Sequence, residues 1–159
     1  MKDNSSDAKK SIFSKKTLTA VDLENARIHN STVTRAKINN SSMHNSNISN
    51  TTIWNTKVHN SEVSNCVVRC SSLHNSNIEG SVVEDSKMHN SNIDSSIVDK
   101  TKIHNPDVQA SVVQNGKVQN SNLKECILEQ LKLINSKMER SIHDETIVHE
   151  TVQNSCSTQ

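Results

Sequence analysis

Six histidines, His29, His44, His59, His74, His89 and His104, stand fifteen residues apart. Imidazole is the commonest metal ligand, so stacked neighbours in such a series could share Zn²⁺ or Cu²⁺. The donor set is thin, however. A structural zinc site takes four ligands, and the only carboxylate close to the series is Glu150, at its edge. Two residues before the histidine beat runs a basic series, Arg27, Lys57, Lys87, Lys102, Lys117 and Lys132. Side by side, the two series would form a basic stripe able to hold a polyanion. Nucleic acid is not expected, because single-strand binding draws on aromatic stacking and neither series holds an aromatic. For catalysis there is no Gly-rich phosphate loop, nucleophile elbow or metalloprotease motif. His143, Asp144 and Glu145 are adjacent, but no nucleophile is placed beside them. Neither an enzyme nor a cofactor is expected.

What positions these residues is a repeat. From Val21 to Glu150 a five-residue phrase recurs 26 times without insertion or deletion. Its third residue is aliphatic in 25 phrases, the exception being His143. Its first is Ser, Thr, Ala, Cys or Gly in 23, the exceptions being Val21, Pro106 and Leu131. In Ser76-Asn77-Ile78-Glu79-Gly80, alternation puts Ser76 and Ile78 on one side of a very short strand and Asn77 and Glu79 on the other. The fifth residue breaks the alternation and should be a corner. Asn, which tolerates left-handed backbone angles, fills many corners, and the chain has only two glycines. A helix is rejected, because a period of five does not match 3.6 and an apolar row would spiral round it.

The fifteen-residue beat means that the three phrases of a coil differ consistently, and like residues stack above like. Asn30, Asn45, Asn60, Asn75, Asn90, Asn105, Asn120 and Asn135 form an amide ladder read as structural. Val67, Val82, Ile97, Val112, Ile127 and Ile142 form an aliphatic row expected to face outward, near Trp54, Arg69, Glu84 and Asp99. Aligned aliphatics on a solenoid face mark an interface.

Composition sets the outer bounds. With 31% hydrophobic residues, one Trp, one Phe and no Tyr, an ordinary globule of 159 residues could not offset its chain entropy. A solenoid needs only a thin inner column, because each coil buries its inward residues on its neighbours. The chain is read as one domain: a polar, flexible tail over 1–16, the solenoid over 17–150 and a polar tail over 151–159. Ile12 and Phe13 are the tail's bulky pair, able to lie over the first coil as a lid. The polar, Lys-rich start is not expected to be a secretory signal, and no apolar run is long enough to span a membrane. Cys66, Cys126 and Cys156 occupy the small slot or its continuation and read as buried thiols of a reducing compartment. Dense Asn-x-Ser/Thr sequons along a packed coil add to a cytoplasmic expectation.

The phrase small-x-aliphatic-x-x resembles the pentapeptide-repeat family, whose usual phrase is Ala-Asp/Asn-Leu-x-x, over roughly residues 21–150. The resemblance implies a parallel β-helix with the first and third residues turned inward. In that family the helix is usually right-handed and four-sided, with twenty residues per coil. Here the outer rows repeat at fifteen, so the expected fold is an all-β, triangular solenoid with three phrases per coil. A four-sided coil of twenty is the alternative if fifteen records only a duplication unit. Inhibition of topoisomerases by DNA mimicry, known for acidic members, needs a strongly acidic surface. The balance of 18 basic to 17 acidic residues argues against it. The functional expectation is a structural or interaction module forming a homo-oligomer, or holding a protein partner, through the aliphatic face. The alternative is a solenoid whose His/Lys face takes a divalent metal or a polyanion.

Overall fold

The structure, a computed structural model, describes the backbone of residues 8–9, 11–144, 147–149, 152–154 and 157–158, and the side chains of residues 11–142 and 144. Strands of three residues alternate with two-residue corners, and there is no helix among the described residues. The strands form three parallel sheets of eleven, ten and ten, each strand pairing with the third one before and after it. Residue n lies on residue n+15 throughout: Ile53 on Val68, His59 on His74, Val63 on Ile78. Among the described residues no pairing follows n+20, so the four-sided alternative falls. The molecule is an all-β, parallel, three-sided solenoid with fifteen residues per coil.

The third residue of each phrase builds the core. Ile28, Val58, Val83, Leu128 and their equivalents are sealed from solvent along the axis. Burying each such side chain stabilises by about 1.5–3 kcal/mol, and the column repeats it at every strand. That is how a chain nearly free of aromatics holds together.

The first residue of the phrase does more than fit. The hydroxyl of Ser61 accepts from the backbone N–H of Ser46 one coil below, at 3.2 Å, and donates to the carbonyl of His59, at 2.8 Å. Ser71, Ser81 and Ser111 repeat both bonds. Elsewhere the parallel ladder serves the backbone. The second residue donates down, as Lys57 does to Ser41, and the corner residue donates up, as Asn45 does to His59. The N–H of the first residue has no ladder partner, and the hydroxyl supplies it, so a buried polar group is not left unpaired. Cys66 and Cys126 stand in the same slot, with their thiols 3.1 and 3.2 Å from the carbonyls of Ser64 and Lys124.

Every corner from Lys15 to Arg140 holds a φ between +47 and +57°. For a residue other than Gly this backbone costs about 1–2 kcal/mol, least for Asn and Asp. Asn accordingly fills 14 of the 26 corners, and no β-branched residue occurs at any of them. The eight-membered Asn series lies wholly at such corners, between the second and third sheets. Its amides are linked from Asn120 to Asn105 and from Asn105 to Asn90, at 3.2 and 3.1 Å.

The coil takes in residues that the sequence placed in the tails. Ile12–Ser14 pairs with Arg27–His29, with Phe13 packed on the core column and Ile12 exposed. Ser11 to Lys15 is itself a small-x-apolar-x-x phrase, so it continues the ladder rather than folding over it. At the other end the backbone of Val152–Asn154 pairs with Lys137–Glu139.

Candidate functional site

The three sides carry different chemistry, because the second and fourth residues of each phrase point outward. On the first side the second residues are the aliphatic row. Val67 stacks on Val82, Val82 on Ile97, Ile97 on Val112, Val112 on Ile127 and Ile127 on Ile142. Ile97 is 47% exposed, Ile127 43% and Val82 37%, which is high for aliphatics on a flat sheet. Val67 and Val112 are half-buried. The fourth residues of this side run Trp54, Arg69, Glu84, Asp99, Gln114, Glu129 and Asp144. Trp54 is 57% exposed. Arg69 pairs with Glu84 at 2.7 Å, and Lys100 approaches Asp99 at 3.8 Å.

The second side carries the His and Lys rows in register. Imidazole centroids from His29 to His104 are 4.9–5.4 Å apart. The rings stack as far as His89, with interplanar angles of 3–28°, and His104 turns edge-on at 85°. Nδ1 of His89 and of His104 is buried without a hydrogen-bond partner. Lys87, Lys102, Lys117 and Lys132 occupy four consecutive rungs. Lys57 stands two rungs lower, between Ser42 and Ser72. A shallow groove between the two rows is lined by Lys87, Lys102, Lys117, His74, His89 and His104. Among the described residues no group of three or more metal-binding side chains converges, so a metal here would rest on pairs of stacked imidazoles.

The third side is polar, with amide bonds from Asn92 to Asn77 at 3.2 Å and from Asn122 to Asp107 at 2.7 Å. Cys66 and Cys126 are buried free thiols, and burial pushes both above the ordinary thiol pKa. Glu145, Cys156 and the side chains of His143 and His149 lie outside the described residues.

Sequence reasoning placed these rows side by side but missed the hydrogen-bonding role of the serine row. The available signal was Ser or Thr in 18 of 26 first positions, where the smaller Ala occurs only twice.

Burial holds the His59 imidazole below its ordinary pKa, and His44, His74 and Lys57 push it the same way. A base whose folded pKa lies below its unfolded value of about 6.5 binds fewer protons folded than unfolded. No penalty exists above that pH, and stability is lost as the pH falls from about 6.5 through the folded value. The melting temperature is expected to drop between pH 7.5 and pH 5, and His59→Gln is expected to shallow that drop. An unchanged slope in the variant would remove His59 as a source of it.

No model of a known protein family matches the chain, and no curated protein does. Among solved structures it is similar to full-length QnrB1, a plasmid-mediated fluoroquinolone resistance protein. That match has 8% identity and a TM-score of 0.43 and covers 93% of each chain. It is also similar to HetL, a pentapeptide repeat protein involved in heterocyst differentiation regulation from the cyanobacterium Nostoc. Here identity is 7% and TM-score 0.37, over 96% of this chain and 86% of that one. A third is the A-module of the Azotobacter vinelandii mannuronan C-5 epimerase AlgE4, with 8% identity and a TM-score of 0.42, covering 95% and 89%. The chain's own register, phrase and inward rows define its class, a three-sided parallel β-solenoid. Within that class it is a pentapeptide-repeat-like β-solenoid.

Proposed function

We propose that this solenoid is a non-enzymatic structural or interaction module that associates with copies of itself through its aliphatic side. The observation that carries this reading is the unbroken row from Val67 to Ile142, displayed on a flat sheet with Trp54 beside it. Exposed aligned aliphatics are uncommon on monomeric proteins and mark interaction surfaces. The area is adequate. With the eleven rungs of that sheet at about 4.8 Å and five residues per side at about 3.3 Å, one side offers roughly 870 Å². A standard interface takes about 800 Å² from each partner. The free, buried thiols of Cys66 and Cys126 fit a reducing, cytoplasmic setting.

Changing Val82, Ile97 and Val112 together to Lys is expected to give a folded monomer, measured as mass in solution with the β circular dichroism signal retained. A wild-type chain that is already monomeric, or a variant with unchanged mass, would reject this interface.

A further inference from the structure

Four lysines stacked on consecutive strands place like charges directly opposite one another, an arrangement that destabilises a sheet. Lys87, Lys102, Lys117 and Lys132 make no ion pair with any described residue, and no acidic side chain stands in either row of their side. On the aliphatic side, by contrast, Arg69 and Lys100 already attend Glu84 and Asp99. The unmet charge therefore sits on one side of the solenoid and the exposed apolar row on another. Any counterpart of the lysine row must repeat at its rung spacing, about 4.8 Å. The fourth-residue row of the aliphatic side does, with Glu84, Asp99 and Glu129 on three of the four matching rungs and Gln114 on the rung of Lys117.

We propose that the aliphatic side of one copy docks on the His/Lys side of the next, with the two solenoid axes parallel. This rests on the self-association reading above and names the second surface.

Strand order decides the orientation. Along each strand of the aliphatic side, the aliphatic row precedes the acidic row by two residues. Along each strand of the second side, Lys precedes His by two. Seen from outside, the chain runs the same way across every side of a solenoid. Two sides brought face to face with axes parallel therefore cross with their strands antiparallel. The acidic row then meets the lysines and the aliphatic row meets the imidazoles. With axes antiparallel, the aliphatic row would meet the lysines, setting charge against apolar side chains.

Register follows from the coil. The first and second sides of one coil are a single phrase apart, about a third of the 4.8 Å rung. Copies standing level thus set Glu84 against Lys87, Asp99 against Lys102 and Glu129 against Lys132 of the next copy. Trp54 falls against Lys57, a cation–π contact. In the apolar row Val82 meets His89, Ile97 meets His104, and Ile127 meets Ile134. Ile134 is an aliphatic that breaks the histidine beat of its own side, and its level partner is an isoleucine. Asp22 meets His29.

The contact is heterologous, so its rotation decides between ring and filament. Three equal phrases per coil make the sides meet at about 60°, and each docking step turns the next copy by about that angle, so six copies close a ring. The shared edge is the corner between the two docked sides. The polar third side, with Asn77, Asn92 and Asn122, is left facing water.

The test is complementation between two broken surfaces, read as mass in solution with circular dichroism confirming the fold. The aliphatic variant carries V82K, I97K and V112K, and the lysine variant carries K87E, K102E and K132E. Each alone is expected to be a monomer. An equimolar mixture is expected to double in mass, because one intact aliphatic side and one intact lysine side remain. If the lysine variant assembles like the wild type, the lysine side is not part of the contact. Self-association through the aliphatic side on itself would then stand and this inference would fall. That result is also the one expected if the lysines serve a soluble polyanion instead. A monomeric wild type would overturn both readings. A single chain carrying K87E, K102E and K132E together with E84K, D99K and E129K keeps the test decisive should either variant fold poorly. It is expected to regain the wild-type mass, and a monomer would overturn the inference.

Discussion

Val83→Asp is expected to abolish the cooperative fold at temperatures where the wild type is fully native. Val83 is 0% exposed and stacks between Val68 and Val98 in the inner column. A carboxylate there has no water, and the neighbouring hydroxyls are committed to backbone groups. The hydroxyl of Ser81 donates to the carbonyl of Glu79, and that of Ser96 donates to the carbonyl of Asp94. Burying an unpaired charge costs several kcal/mol even after relaxation. A chain stable by about 5–15 kcal/mol loses much of its margin. The defect should also spread, because each coil is held only by its neighbours. Thermal melting followed by circular dichroism reads the effect. A variant that melts with the wild type would mean that position 83 does not face inward.

The second large effect is expected at Gly116, where the commonest first residue of the phrase, Ser, should be harmful. A Cβ on Gly116 would lie 2.5 Å from the carbonyl oxygen of Thr101 and 3.5 Å from a methyl of Leu131. The carbonyl cannot step aside cheaply, since it accepts the N–H of Lys117 at 3.2 Å. Leu131 occupies a slot that takes a small residue in most other coils, and it is buried there. Leu131 stacks above Gly116 at ordinary contact distance, so the steric limit at Gly116 is the Thr101 backbone below it. Gly116→Ser is therefore expected to destabilise by about 1–3 kcal/mol, as overpacking does. Adding Leu131→Ser should not recover that loss, because the close contact is with the Thr101 carbonyl and removing a buried Leu side chain costs stability of its own. Losses that add in a double-mutant cycle are expected, and recovery in the double mutant would show instead that Leu131 sets the backbone position at Gly116.

The architecture was legible because it is periodic. The five-residue phrase forces the inward rows, the fifteen-residue beat forces three sides, and the Asn-rich fifth position announces a left-handed corner. What stayed hidden was not periodic or had two explanations. Serine in the first slot is small enough to face inward, and smallness alone accounts for it. Its hydroxyl bond to Ser46 or Thr56 appears only when the N–H left over by the ladder is counted. The usual family phrase starts with Ala, which fits the same space but supplies no acceptor. Gly116 and Leu131 look like two unrelated irregularities until they are stacked. Ser11 to Lys15 obeys the phrase, but an isolated Ile-Phe pair after a Lys-rich stretch looks like a lid. The rows of each side could be named from spacing alone. Which rows face each other between copies depends on the direction in which strands cross, and that needs the fold.

The identical corners impose arithmetic on change in this molecule's length. Adding or removing five residues preserves every inward contact, since each phrase ends at the same positive φ. An added phrase also advances everything downstream by one side, so aliphatics would continue above lysines and lysines above amides. The interior therefore counts in fives and the exterior in fifteens. Growth by whole coils lengthens all three outer surfaces without scrambling them. A single extra phrase leaves a sound core wearing a mismatched coat.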